Sequence, residues 1–220
     1  MNTSGVPGHL RVFVLVSAML ASMAHAQSNI HPAVEAYNRG MKLLNAGRVR
    51  EAIQEYDEAI RLDPLRPHSY YQRGRAYLLL DQCDRALHDF NSVLQLDPNF
   101  ATVVLARGRA YLCLRHYDGA IEAFTEAIRH KPNEDELYYY RGTARREGGD
   151  LAGAIADFDK AIELNPEHAR AYGGRGVALI LQGNDTDAFR DIRKCYTLDP
   201  TLKGMLEPLI EQAKAKRSGS

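Results

Sequence analysis

Arginine followed by glycine stands in "YYQRGRAYLLL" (residues 70–80) and again in "VLARGRAYLCL" (104–114). Such a pair has the chemistry to hold phosphate, because guanidinium matches phosphate geometry and glycine lets a backbone approach closely. Other reactive side chains are scattered. His31, His68, His88, His116, His130 and His168 lie in different stretches without metal-ligand spacing, so neither a metal nor another cofactor is expected. The sequence has no GxSxG elbow, HExxH pair or P-loop, and "REGGDLAG" (146–153) lacks the Lys and Ser/Thr that phosphate cradling requires. These absences point away from an enzyme.

The ends and the charge limit the choice further. The first 26 residues carry no acidic side chain and one arginine, Arg11, followed by the apolar run "VFVLVSAMLASMA" and then "AHAQ". A basic start, a short apolar stretch and small residues at Ala24 and Ala26 read as a secretory signal cleaved after Ala26, which places the mature chain in the periplasm or outside the cell. The apolar run is too short for the roughly 20 residues that span a bilayer, so no stable membrane insertion is expected after cleavage. Of the 28 basic side chains Arg11 leaves with the signal, so 27 remain against 28 acidic ones and the net charge is −1. That balance argues against nucleic acid, whose binders rely on a basic excess to neutralise phosphates.

The interval between arginine–glycine pairs decides their meaning. Gly40, Gly74, Gly108, Gly142 and Gly176 each follow an arginine and stand 34 residues apart. Pro64, Pro98, Pro132, Pro166 and Pro200 keep the same interval, and so do Ala52, Ala86, Ala120, Ala154 and Ala188. Each period holds two helical apolar patterns divided by a turn such as "NAGR", "EGGD" or "LQGN", and the proline closes the second helix. The glycines are therefore read as packing devices where paired helices approach, with Tyr77, Phe90, Tyr111, Phe124 and Phe158 filling the space beside them. The preceding arginines are read as lying beside that face, their stems buried and their guanidinium groups reaching a carboxylate of the second helix or water.

The spacing of aromatic, Gly, aromatic, Ala, aromatic and Pro resembles the tetratricopeptide repeat, best seen in Tyr70, Arg73, Gly74, Tyr77, Ala86, Phe90 and Pro98. The resemblance spans roughly residues 32 to 200. It departs from the family in the Arg before each Gly, in Arg145 at an aromatic position and in Ile192 at another. It implies an all-α fold, a right-handed superhelical α-solenoid of five helix-turn-helix repeats, over about 33–66, 67–100, 101–134, 135–168 and 169–202. Residues 203–220 are expected to form a capping helix and a loose tail. In the cap, Leu206, Leu209, Ile210 and Ala213 face the last repeat, and Pro208 is expected to delay the regular helix to its own neighbourhood or beyond.

The same resemblance implies that first helices (helices A) line a concave groove that receives a protein or peptide partner. The groove positions are Tyr37, Met41, His68, Tyr71, Arg75, Thr102, Leu105, Arg109, Tyr139, Thr143, Arg146, Arg170 and Val177, a set rich in the Tyr and Arg that often anchor interfaces. One branch of the family grips chaperone C-termini through Lys, Asn and Arg, but those positions here hold Tyr37, Met41, Gln72, Thr102 and Ala106, so that partner is not expected. Cys83 opens one helix and Cys113 closes another in the next unit, where stacking could join them in a disulfide, whereas Cys195 stands in a small-residue packing column as a buried thiol. The expected function is a non-catalytic scaffold or adaptor of a bacterial envelope. The alternative is an accessory or regulatory subunit of an envelope enzyme, such as a peptidoglycan hydrolase, or of a pilus or outer-membrane assembly machine.

Overall fold

The computed structural model describes residues 31–218; the expected signal, 1–26, lies outside the described residues. The chain divides into two compact units, one ending at Pro64 and the other beginning at Leu65. In the first unit α1 (Pro32–Asn45) and α2 (Val49–Leu62) form a helix pair. The second unit holds four further pairs: α3 (Pro67–Leu78) with α4 (Cys83–Leu96), α5 (Ala101–Cys113) with α6 (Tyr117–His130), α7 (Asp135–Gly148) with α8 (Leu151–Leu164), and α9 (Ala169–Gln182) with α10 (Asp185–Leu198). A 3-10 turn at Pro200–Leu202 leads into α11 (Lys203–Ser218).

Local chemistry sets the helix ends. Each second helix stops two residues before its proline, and the intervening Asp97, Asn165 and Asp199 adopt extended backbone, as a residue before proline must. Their side chains then turn the chain: Asp97 accepts from the Asn99 amide at 3.0 Å, Asn165 from Glu167 at 3.1 Å and Asp199 from Thr201 at 3.0 Å. Within every pair, the connecting turn has one residue of positive φ, at Gly47, Asp81, Arg115, Gly149 and Gly183, again at the 34-residue interval.

The repeated glycines lie against the second-helix aromatics. A methyl group at Gly40, Gly74 or Gly108 would come within 2.6 Å of Tyr56, Phe90 or Phe124, and one at Gly142 within 3.0 Å of Phe158. Phe158 is received on both sides, since a methyl at Gly174 of the following pair would stand 2.7 Å from its Cζ. Phe90, Phe124 and Phe158 are fully buried, while Tyr77 and Tyr111 are only half-buried, being placed on the flank of the packed seam. Gly108→Leu is expected to cost about 1 to 3 kcal/mol or more by overpacking Phe124. Gly204→Ala, at a glycine with nothing within 4 Å, serves as the control in urea denaturation, and an unchanged midpoint for Gly108→Leu would contradict the packing role.

The arginine before each glycine meets a carboxylate on the second helix. Arg39 pairs with Glu55 at 2.8 Å, Arg73 with Asp89 at 2.7 Å, Arg141 with Asp157 at 2.7 Å and Arg175 with Asp191 at 2.6 Å, each sixteen residues apart. The third repeat has Ala123 at the equivalent place, and Arg107 reaches Glu126 at 3.1 Å instead. Arg145, which stands where the family has an aromatic, gives Asp157 a second guanidinium at 2.9 Å.

At the C-terminal end, two expectations are corrected. Helix α11 begins at Lys203 and carries Pro208 in its interior. The early start buries Leu206 against Gly173 and Cys195, an apolar gain that offsets the one backbone bond that proline cannot make. The "RSGS" tail is not loose from its beginning, because Arg217 and Ser218 belong to α11. Arg217 donates to the Ile180 carbonyl at 3.1 Å and to Asp185 at 2.6 Å, and Ser218 donates back to Lys214 and Ala215. Among the described residues no helix is long and apolar enough to cross a membrane.

Candidate functional site

In the second unit, consecutive first helices α3, α5, α7 and α9 touch one another, and α11 continues the row by packing on α9. This inner face carries most of the side chains that the sequence nominated. Tyr71 on α3 is half-buried, its ring 6.2 Å from Phe90 and 5.3 Å from Phe100. The Arg75 guanidinium lies 5.8 Å over the Tyr71 ring and donates to Gln72 at 2.9 Å. His68, exposed, meets Phe100 edge-on at 5.0 Å.

Arg109 on α5 projects 5.6 Å over Tyr140, which stacks on Phe124 at 5.6 Å. Tyr139 on α7 lies between Phe158 at 6.1 Å and His168 at 5.1 Å, with Arg170 5.4 Å over its ring. Burial pushes the Tyr139 phenol above its ordinary range, and the charges of Arg170 and Arg146 oppose that rise. Thr143 donates to the Tyr139 carbonyl at 2.9 Å, and Thr102 is exposed on α5. In the first unit Tyr37 and Met41 are half-buried on α1, with the Tyr37 ring 6.1 Å from Tyr56.

The arginines of this face differ in their partners. Arg170 is bound to Glu136 at 2.6 Å. Among the described residues no carboxylate pairs with Arg75 or Arg109, which are exposed and held over aromatic faces. Such a cation keeps its charge available while its planar group is oriented by the ring beneath. Arg146 does not join them on the open face: it is 9% exposed and pairs with Glu147 at 2.7 Å.

Phe100 and Tyr140 complete the inner face and were missed by sequence reasoning. Phe100 has Arg66, Glu134, His168 and Leu202 at its equivalent positions, a column in which only Leu202 is also apolar, so no recurring pattern marks it. Tyr140 was masked by two neighbouring tyrosines of the same type. The carboxylates opposite the arginines did have a signal, the sixteen-residue interval that links Arg73 to Asp89 and Arg141 to Asp157.

At the edge where pairs join, a cavity of about 370 Å³ is rimmed by Asp135, Glu136, Glu167 and Asp199. His168 is buried in its wall, with Nε2 3.9 Å from Asp135 and without a hydrogen-bond partner among the described residues. Burial lowers the His168 pKa below its ordinary value, with the charges of Glu136 and Asp135 acting the other way. A depressed histidine stays neutral in the fold while the unfolded chain takes up a proton, so stability is lost as pH falls through about 6.5. His168→Gln is expected to show a flatter stability profile between pH 7 and 5 than the parent; parallel profiles would show that His168 does not carry the effect.

The three cysteines separate as their positions imply. Cys83 and Cys113 are joined in a disulfide with Cα atoms 6.1 Å apart, linking the start of α4 to the end of α5. Cys195 is free and buried, and burial raises its thiol above the ordinary value. Among the described residues no group of three or more His, Cys, Asp or Glu side chains could hold a metal ion.

The sequence matches the family described as Tetratricopeptide repeat over residues 67–100, 105–166 and 141–201, and the family described as TPR repeat over 40–81. Among solved structures it is similar to MamA 41-end from Desulfovibrio magneticus RS-1, with a TM-score of 0.72 and 24% identity, covering 78% of this chain and 97% of that one. It is also similar to YrrB, described as a TPR protein with an unusual peptide-binding site, with a TM-score of 0.68 and 22% identity over 86% of this chain and 97% of that one. These structural likenesses concern the fold. No curated protein matches the sequence.

Proposed function

Because the chain belongs to the tetratricopeptide repeat family, we propose that it is a non-catalytic scaffold that binds a partner protein or peptide on the inner face of its second unit. The observation that carries this reading is the pair Arg75 and Arg109, exposed, held over Tyr71 and Tyr140, and without a carboxylate partner among the described residues. They favour an extended ligand with acidic side chains, and Tyr71 and Tyr139 add apolar and aromatic contact area beside them. The peptide-binding site for which YrrB is described supports the same use of the fold.

The place of action in this reading is the cell envelope, after removal of residues 1–26. The Cys83–Cys113 disulfide accords with an oxidising compartment. Affinity capture from envelope extract, using residues 27–220 beside the same chain with Tyr71→Ala and Arg109→Ala, tests the proposal. A partner retained by the first and lost from the second, with both baits equally folded, is the expected result. Identical captures would remove binding from the inner face. A captured enzyme whose turnover changes on binding would make this chain a regulatory subunit.

A further inference from the structure

Helix α11 is held at both ends, by Leu206 packed at Gly173 and by Arg217 bound to Asp185 and the Ile180 carbonyl. Between α7, α9 and this helix remains a cavity of about 220 Å³. Val177, Leu181, Leu209 and Ala213 give it an apolar floor, and Arg115, Arg146, Lys216 and Glu147 form its charged rim. The rim holds three cations to one carboxylate.

Arg146 is out of place by the logic of the repeat. The equivalent positions hold Leu44, Leu78, Leu112 and Ile180, an apolar column interrupted once by a charge. That charge is 9% exposed, and its carboxylate partner, Glu147, is itself solvent-exposed. Glu147 meets this guanidinium through one nitrogen, and a local choice that departs from an otherwise consistent pattern marks function more often than packing.

Arg115 is the second departure. It occupies the left-handed turn position with φ 59°, where three of the five repeats have glycine. Aspartate, as at Asp81, is enriched in that conformation, but arginine has no such preference. Its guanidinium is steadied by the Tyr117 hydroxyl at 3.0 Å. Retained strain of this kind clusters at ligand sites.

We propose that this cavity binds a monocarboxylate carrying an apolar group of leucine or phenylalanine size, with the carboxylate on Arg146 and the apolar group on Val177, Leu181 and Leu209. The cavity lies many times above the roughly 10–15 Å³ that one water needs, yet cannot enclose a long chain. Val177 in its floor shares the repeat position of Arg75 and Arg109, so the cavity lies beside the inner face. The site stands whether or not that face takes a peptide.

The test is calorimetric titration of the mature chain with three probes. N-acetyl-leucine mimics a chain terminus, 4-methylpentanoate is a free acid of the same size, and N-acetyl-leucinamide lacks the charge. At least one acid is expected to bind, and the amide much more weakly. Binding of N-acetyl-leucine alone assigns the site to the terminus of another chain, and binding of both acids assigns it to a free acid as well. Arg146→Leu restores the residue of the column, so its fold should hold, and it is expected to weaken acid binding at least about tenfold, the worth of a charge-assisted hydrogen bond. Absence of binding by both acids, equal binding of the amide, or unchanged affinity in Arg146→Leu would overturn the proposal.

Discussion

Replacing Asp157 by alanine is expected to destabilise the second unit by about 3 to 5 kcal/mol, the range for removing one member of a buried ion pair. Asp157 is 3% exposed and accepts from Arg141 at 3.0 and 2.7 Å and from Arg145 at 2.9 Å. Arg141 also donates to Thr125 of the preceding repeat at 3.2 Å, so the cluster ties two repeats together. Without the carboxylate, Arg141, 14% exposed, loses its counter-charge, and Arg145, 26% exposed, keeps the carboxylate of Asp150 at 3.7 Å. The same truncation at Glu126, the more exposed partner of Arg107, is expected to cost no more than about 1 kcal/mol. Urea denaturation of the two variants side by side measures the difference, and equal losses would show that burial does not set the rank. The double replacement Arg141→Met with Asp157→Leu should recover part of the loss, since an apolar pair removes the Arg141 charge and leaves Arg145 to Asp150.

Removal of the Cys83–Cys113 bridge is the second large effect. The bonded residues are 30 positions apart, and chain-entropy accounting for a loop of that length gives about 3 to 4 kcal/mol. The bridge clasps the beginning of α4 to the end of α5, so its loss frees the junction of the second and third repeats to open. In a solenoid, where stability is carried between neighbours, the opening should appear as a broadened or two-step transition. Urea melts of the parent with and without reductant, and of the Cys83→Ala, Cys113→Ala double variant, measure the cost. The reduced parent and the double variant should unfold at similar, lower midpoints. A parent whose midpoint ignores reductant would contradict a stabilising bridge, and Cys195→Ala should respond to reductant as the parent does, its thiol being free and buried.

What could be read in advance was what the chain repeats. The spacing of Gly108 from Phe124 expresses a contact made inside one repeat and reissued every 34 residues, so several copies report the same geometry. Prolines such as Pro98 and Pro166 mark helix ends for the same reason: their steric rule is local and needs no partner from elsewhere in the chain. The arginine–carboxylate interval belongs to this class, and its break at Ala123 explains why Arg107 turns to Glu126.

Side chains that act once were not legible. Phe100 supports Tyr71 and His68 from a position that holds Arg66, Glu134 and His168 in three of the other repeats. The repeat places Arg146 in the groove, but α11 packs on α9 at that end of the inner face and Arg146 lies 9% exposed in the wall of a cavity between them. Pro208 was expected to postpone the cap helix, and the burial of Leu206 outweighed it. The amino-acid sequence by itself determined the helices, their pairing and the glycine–aromatic seams, because short-range sterics and a fivefold period carry that information redundantly. Only the tertiary structure decided which charges are neutralised, which aromatic rings converge and where the cap closes. Those outcomes depend on the direction and burial of single side chains from different repeats, and no period records them.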